Sequence, residues 1–242
     1  MAGPLFRAPF SIPLYATPEI TERFARDGQR ILAEFHELYY HSMVWVDRTR
    51  WRGVPVSKPP GDLWVLQEII FELTPDLIVE SGTAHGGSAA FMASMLDLNQ
   101  RGRIVTIDKQ HYDGRPVHPR IEYLSGSSTD PAIVDVVRER ARGLETVLVV
   151  LDSAHVESHV RQEIAFYAPL VTRNSYLIVE DGNVDGNPVL PNYVCSYTGI
   201  PSGGPQAAIQ AFVAGGDAFV IDSSRHKFLM TFNPNGYLKR VK

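Results

Sequence analysis

The stretch Asp76–Ser88, Asp-Leu-Ile-Val-Glu-Ser-Gly-Thr-Ala-His-Gly-Gly-Ser, constrains the fold more than any other. Leu77, Ile78 and Val79 form a short apolar run rich in β-branched residues, the pattern of a strand covered on both faces of a parallel sheet. The run ends in Glu80, and Gly82, Gly86 and Gly87 follow. From Ser88 the period turns helical, with Phe91, Met92, Met95 and Leu96 on one side. A strand, a glycine turn and a helix start together make a nucleotide cradle. Glycine lets the backbone approach a ligand closely, and the first helical N–H groups are unpaired. The spacing Glu-x-Gly-x-x-x-Gly lacks the Gly-x-Gly-x-x-Gly of a dinucleotide site and the Gly-Lys-Ser/Thr of a triphosphate site. An acid at the strand tip with fewer glycines suits a cationic ligand without phosphate, a description that S-adenosylmethionine meets. Glu80, Gly82, Thr83, Gly86 and Ser88 are the candidate contacts of this turn. An ordinary strand-to-helix connection is the other reading.

Further strands share this rim. Arg103–Asp108 is a second strand ending in an acid, and Asp108 stands where nucleotide-binding α/β folds place the carboxylate for ribose hydroxyls. Ile121–Leu124 is a short third strand. The cluster Ser125–Asp130 after it offers hydroxyls and backbone to an adenine, while Ser128 or Thr129 can equally cap the helix at 131–142. Val147–Asp152 is a fourth strand with Ser-Ala-His155 behind it, and Ser175–Asp181 a fifth, ending in two acids. Helices are expected at 17–42, from a cap at Asp62 to Leu73, at 156–167 and at 205–214. The two last strands are expected at 218–221 and 228–232. Alternating strands and helices with a closing strand pair give an α/β fold, a doubly wound and mostly parallel seven-stranded sheet behind an N-terminal helical extension. Residues 1–61 read as an arm, a helix and a substrate loop, and 62–242 as the cofactor-binding domain. The loop 43–61, with two tryptophans between prolines, can lid a pocket and face a sugar ring, or pack as a surface loop.

In an open parallel sheet the strand ends form the ligand rim, so Glu80, Asp108, Asp152, Glu180 and Asp181 gather there. Adjacent strands lie about 4.8 Å apart, which brings Asp152 within reach of Glu180 and Asp181 if their strands are neighbours. Carboxylates that close repel unless a proton or a cation intervenes. Oxygen ligands without cysteine favour Mg²⁺, with Asp152, Glu180 and Asp181 as its candidate ligands. Successive strand residues point to opposite faces, so Glu180 and Asp181 can serve together only if the strand bends at its tip. His155 is placed to act as general base on an oxygen beside the metal, and Asp152 is the second catalytic candidate and a candidate cofactor contact. Acid pairs at strand ends are often merely solvated, and an isolated histidine is often structural.

Composition narrows the classes. A net charge of −4 with scattered Lys and Arg argues against nucleic-acid binding, and a single cysteine, Cys195, excludes an intramolecular disulfide. No apolar run reaches membrane-spanning length and residues 1–15 make a poor signal peptide, so a cytoplasmic protein is the expectation.

The runs Leu77–Ala89, Ser125–Pro131, Leu151–His155, Tyr176–Asp181, Gly186–Pro191 and Gly204-Pro205, with Asp108, resemble the cephalosporin hydroxylase-like family of methyltransferases. The likeness starts at about Tyr39, takes in Lys58, Asp62, Trp64, Gln67 and Glu68, and leaves residues 1–35 outside. Asp-Ser-x-His and Gly-x-Pro-Val-Leu-Pro resemble the rhamnosyl (sugar) O-methyltransferase branch more than the namesake branch. The resemblance implies a Rossmann-like methyltransferase that uses S-adenosylmethionine and Mg²⁺, held by Asp152, Glu180 and Asp181, with His155 as the base. It assigns Glu80, Gly82 and Ser88 to the methionine end, Asp108 to the ribose, and Ser127 and Ser128 to the adenine. It also implies a glycoside acceptor, a setting in glycolipid or antibiotic biosynthesis, and a homo-oligomer. The segment Asn192–Ser202, with Tyr193, Cys195 and Tyr197, departs from the family pattern, so the acceptor does not carry over. Two rivals stand beside it, a component of cephalosporin hydroxylation or methoxylation and a non-catalytic S-adenosylmethionine-binding assembly protein.

Overall fold

The computed structural model describes residues 17–185 and 203–242. The expectations for the N-terminal arm, for the 186–191 motif and for the 192–202 segment therefore lie outside the described residues. Helix α1 (Pro18–His41) starts where expected, with the Thr17 hydroxyl accepting from the Ile20 amide at 3.4 Å and proline in the first turn. A single turn, α2 (Val44–Asp47), and a hairpin of Arg50–Trp51 with Val54–Pro55 lead into α3 (Pro60–Leu73). There follow β1 (Leu77–Ser81), α4 (Gly87–Asn99), β2 (Arg103–Asp108), β3 (Ile121–Ser125), α5 (Pro131–Ala141), β4 (Val147–Leu151), α6 (Glu157–Tyr167) and β5 (Tyr176–Val179). Then come α7 (Pro205–Ala214), β6 (Phe219–Ile221) and β7 (Tyr237–Arg240).

The sheet has seven strands in the order β3-β2-β1-β4-β5-β7-β6. The first five run parallel and β7 is antiparallel to both its neighbours. Side-chain alternation divides the core in two. Leu77, Val79, Val105, Val149 and Leu177 pack on the α5–α6–α7 side. Ile78, Ile104, Leu148, Val150 and Ile178 pack on the α3–α4 side. Among the described residues no helix is long and apolar enough to cross a membrane.

Three expectations need correction. The last strand is Tyr237–Arg240, not 228–232. Leu229 adopts a left-handed φ of +69°, and Phe232 leaves the sheet to stack its ring on His36 of α1, centroids 5.4 Å apart. Helix α5 is capped by Asp130, whose carboxylate accepts from the Ala132 amide at 2.9 Å, rather than by Ser128 or Thr129. Asp62 does not cap α3, which begins at Pro60. Buried instead, it accepts from Thr231 Oγ1 at 2.5 Å, the Phe232 amide at 2.9 Å and the Tyr237 hydroxyl at 3.1 Å. Burial pushes its carboxyl up to about 6 despite those donors. Asp62→Ala would strand three buried donors, and each costs on the order of 1 kcal/mol or more. We expect a loss of about 3 kcal/mol in urea unfolding; an unshifted midpoint would show that the C-terminal turn does not depend on this anchor.

Candidate functional site

Three strand ends converge on Gly82, at φ +90°. Its amide donates to the Ile107 carbonyl at 2.9 Å, and the Asp152 amide donates to the Ser81 carbonyl at 2.9 Å. A Cβ on Gly82 would lie 1.7 Å from the Asp152 carbonyl oxygen, so the tips of β1 and β4 touch only because this side chain is absent. Gly87 admits a second close approach: a Cβ there would lie 2.0 Å from the Pro55 carbonyl oxygen. The hairpin is thereby pressed against the start of α4, and its exit carries Val56, Ser57 and Lys58 across the rim.

The cleft so formed has a volume of about 420 Å³, within the usual range of small-ligand sites. Of the residues expected at the cofactor, Gly82, Thr83, Ser88, Asp108, Ser127, Ser128 and Asp152 line it. Glu80 and Gly86 stand outside its walls. Glu80 is fully buried and accepts from Ser88 Oγ at 2.5 Å and Thr106 Oγ1 at 2.6 Å, tying the first turn of α4 to β2. Burial pushes its carboxyl up to about 7. Gly86, at φ +79°, backs onto Pro116 and the Tyr123 hydroxyl. Asp108 grips the glycine turn, accepting from the Ala84 amide at 2.8 Å and the Gln110 amide at 2.8 Å. Arg115 completes that grip, 3.3 Å from Asp108 and donating to the Ala84 carbonyl at 2.8 Å.

At the other end the acids separate. β5 stops at Val179 and Asp181 takes a left-handed φ of +57°, the bend that Glu180 and Asp181 need to act on one site. They face different partners. Glu180 pairs with the Lys58 ammonium, which also donates to Asp152 Oδ2 at 2.5 Å. Asp181 Oδ2 lies 3.2 Å from His155 Nε2. Burial alone would drive the proton off Lys58, but Asp152 and Glu180 outweigh it and hold the ammonium charged. Burial pushes Glu180 well above the usual carboxylate range; Lys58 opposes the rise and Asp152 adds to it. Burial raises Asp181 as well, with His155 opposing and Asp152 again adding. Asp152, His155 and Asp181 each bring a ligand-capable atom within 4.8 Å of the others. The atoms that gather are therefore those of Asp152, His155 and Asp181, while Glu180 is engaged by Lys58.

Of the two tryptophans in the loop expected to lid a pocket one reaches the cleft, and His159 is a cleft residue that the sequence reading did not single out. Trp45, on α2, lines the cleft, its ring fixed by donation from Nε1 to the Tyr40 carbonyl at 2.9 Å and by stacking on Tyr40. Trp51, the other tryptophan of that loop, instead packs edge-on against Phe91 and donates to Ser94 Oγ at 3.0 Å. His159 also faces the cleft from α6. Its position four residues after His155 was the available signal.

The sequence model described as rhamnosyl O-methyltransferase/CmcI matches residues 43–241. A rhamnosyl O-methyltransferase of Mycobacterium tuberculosis is 34% identical over 227 residues, covering 90% of this chain and 88% of that one. The rhamnosyl O-methyltransferase of Mycobacterium leprae is 35% identical over 221 residues, covering 89% and 93%. The uncovered tenth of this chain is shorter than residues 1–35, so the similarity extends into α1, beyond the limit expected from the motifs. An apo-structure of CmcI superposes with a TM-score of 0.58 at 23% identity, covering 80% of this chain and 76% of that one. A CmcI structure with Mg and SAM gives 0.58 at 19% identity, covering 100% and 93%. At these identities the likeness is one of fold.

Proposed function

The chain belongs to the rhamnosyl O-methyltransferase/CmcI family, and from that premise we propose that it methylates a hydroxyl of a rhamnose-like sugar on a glycolipid or glycosylated natural product. The methyl donor is S-adenosylmethionine, and the enzyme is a cytoplasmic homo-oligomer that requires Mg²⁺. The observation that carries this reading is the crowding of acids beside Gly82. Burial raises the carboxyls of both Glu180 and Asp181 and Asp152 adds to each rise; Lys58 outweighs Asp152 at Glu180 but not at Asp181. Such a site fits a divalent cation.

Asp152 and Asp181 would hold the ion, and Glu180 joins them only by releasing Lys58. When bound, the ion supplies positive charge that stabilises an ionising acceptor hydroxyl, and S-adenosylmethionine supplies a methyl group on a sulfonium. Mg²⁺ prefers oxygen to imidazole, which leaves His155 available as a base. His155 takes the hydroxyl proton on the ring nitrogen that does not face Asp181, and Asp181 Oδ2, 3.2 Å from Nε2, stabilises the imidazolium. Gly82, Thr83 and Ser88 line the methionine end, Asp108 accepts from the ribose, and Ser127 and Ser128 face the adenine. Trp45 presents an aromatic wall to the acceptor sugar. Ile20, Phe24, Phe35 and Leu38 leave an apolar face exposed on α1, which suits self-association.

Incubation with S-adenosylmethionine and a panel of rhamnosides tests the reading by mass spectrometry. A gain of one CH₂ is expected, abolished by chelation and restored by Mg²⁺. An added oxygen would point to hydroxylation instead, and full turnover in chelator would remove the metal from the mechanism.

A further inference from the structure

Behind the wall of the cleft lies a carboxylate that the methyl transfer does not use. Glu163, on α6, is fully buried, and a buried carboxylate is unfavourable unless donors surround it. Ser153 Oγ donates to its Oε1 at 2.7 Å, and His159 Nε2 stands 3.6 Å from the same oxygen. Its Oε2 has no hydrogen-bond partner among the described residues. Burial pushes the Glu163 carboxyl up, but His159, Ser128 and Ser153 outweigh it and keep the group ionised.

The proton positions follow from the partners. An ionised carboxylate only accepts, so the single Ser153 proton is committed to Glu163. His159 Nε2 lies 3.1 Å from Ser153 Oγ and must therefore carry a hydrogen and donate to it. The same nitrogen lies 3.2 Å from Ser128 Oγ. The Tyr167 hydroxyl fixes that loop from behind by donating to the Ser128 carbonyl at 2.6 Å. Ser128, Ser153 and His159 all line the cleft, on the side where Ser127 and Ser128 stand. The Ser153 oxygen therefore has a lone pair, and no proton, left for a ligand.

We propose that Glu163 is a positioning residue which, through Ser153 and His159, makes this wall a hydrogen-bond acceptor that selects a purine carrying an exocyclic amino group over one carrying a carbonyl. The proposal rests on the reading of the cleft as an S-adenosylmethionine site and assigns the specificity of its base end. A carbonyl in place of the amine would set two lone pairs against each other, and one such lost hydrogen bond is worth about tenfold in affinity.

Isothermal titration with S-adenosylhomocysteine and S-inosylhomocysteine tests this without turnover. The unmodified protein should prefer the adenosyl ligand by about tenfold or more. Glu163→Gln, whose amide can donate to Ser153 and reverse its hydroxyl, should narrow the preference to about threefold or less. Ser153→Ala should narrow it likewise and provides the reading if the buried glutamine does not fold. Equal affinities in the unmodified protein, or an undiminished preference in both variants, would overturn the proposal alone. Failure of both ligands to bind would overturn the methyl-donor reading together with it.

Discussion

Gly82→Ala is expected to abolish cofactor binding and to cost about 3 kcal/mol or more of stability. Two effects add. The residue sits at φ +90°, where an L side chain is strained by about 1 kcal/mol. Its new Cβ would also lie 1.7 Å from the Asp152 carbonyl oxygen, which is rigid backbone at a strand tip. Relief requires β1 and β4 to part at their tips, which displaces Asp152 and opens the floor of the cleft. Gly53 supplies the control, because it has nearly the same φ, +89°, with nothing within 4 Å of its Cβ position. Gly53→Ala should therefore lose only the conformational share, about 1 kcal/mol, and bind S-adenosylhomocysteine normally. Equal losses at both positions in calorimetry and urea unfolding would show that close approach at Gly82 contributes nothing.

His155→Ala should lower kcat by about 10²- to 10⁴-fold, the usual contribution of a positioned base, while the affinity for S-adenosylhomocysteine is unchanged. The split between turnover and binding separates the two roles open to this side chain. A histidine that merely packed would, when removed, lower stability and affinity together. One whose Nε2 faces Asp181 at 3.2 Å and is half-buried in the cleft wall has little packing to lose. Turnover at the parental rate would return the proton transfer to solvent or to another group.

The parallel half of the sheet was legible because buried parallel strands are near-continuous apolar runs: Leu77–Val79, Ile104–Ile107 with only Thr106 interrupting, and Val147–Leu151 need no context to be recognised. The last strand was not. Phe228–Phe232 is more apolar than Tyr237–Arg240, and only tertiary structure places Phe232 among His36, Tyr40 and Trp45 rather than in the sheet. At the site, glycine spacing and strand-end acids pointed to the right rim. The sequence could not say that Asp181 turns left-handed and faces His155 while Glu180 faces Lys58, since aspartate tolerates a positive φ without requiring it and the two pairings join distant segments. Glu163 carried no signal at all, being one more charged residue on a helix until its burial is known.

Lys58 has a consequence for anyone moving this cleft to another protein. It enters from the segment ahead of the nucleotide-binding unit, yet its partners stand at positions 152 and 180. A transplant cut at the start of β1 would carry both acids and leave their counter-charge behind, so the portable unit begins at the hairpin, one helix upstream of the glycine turn.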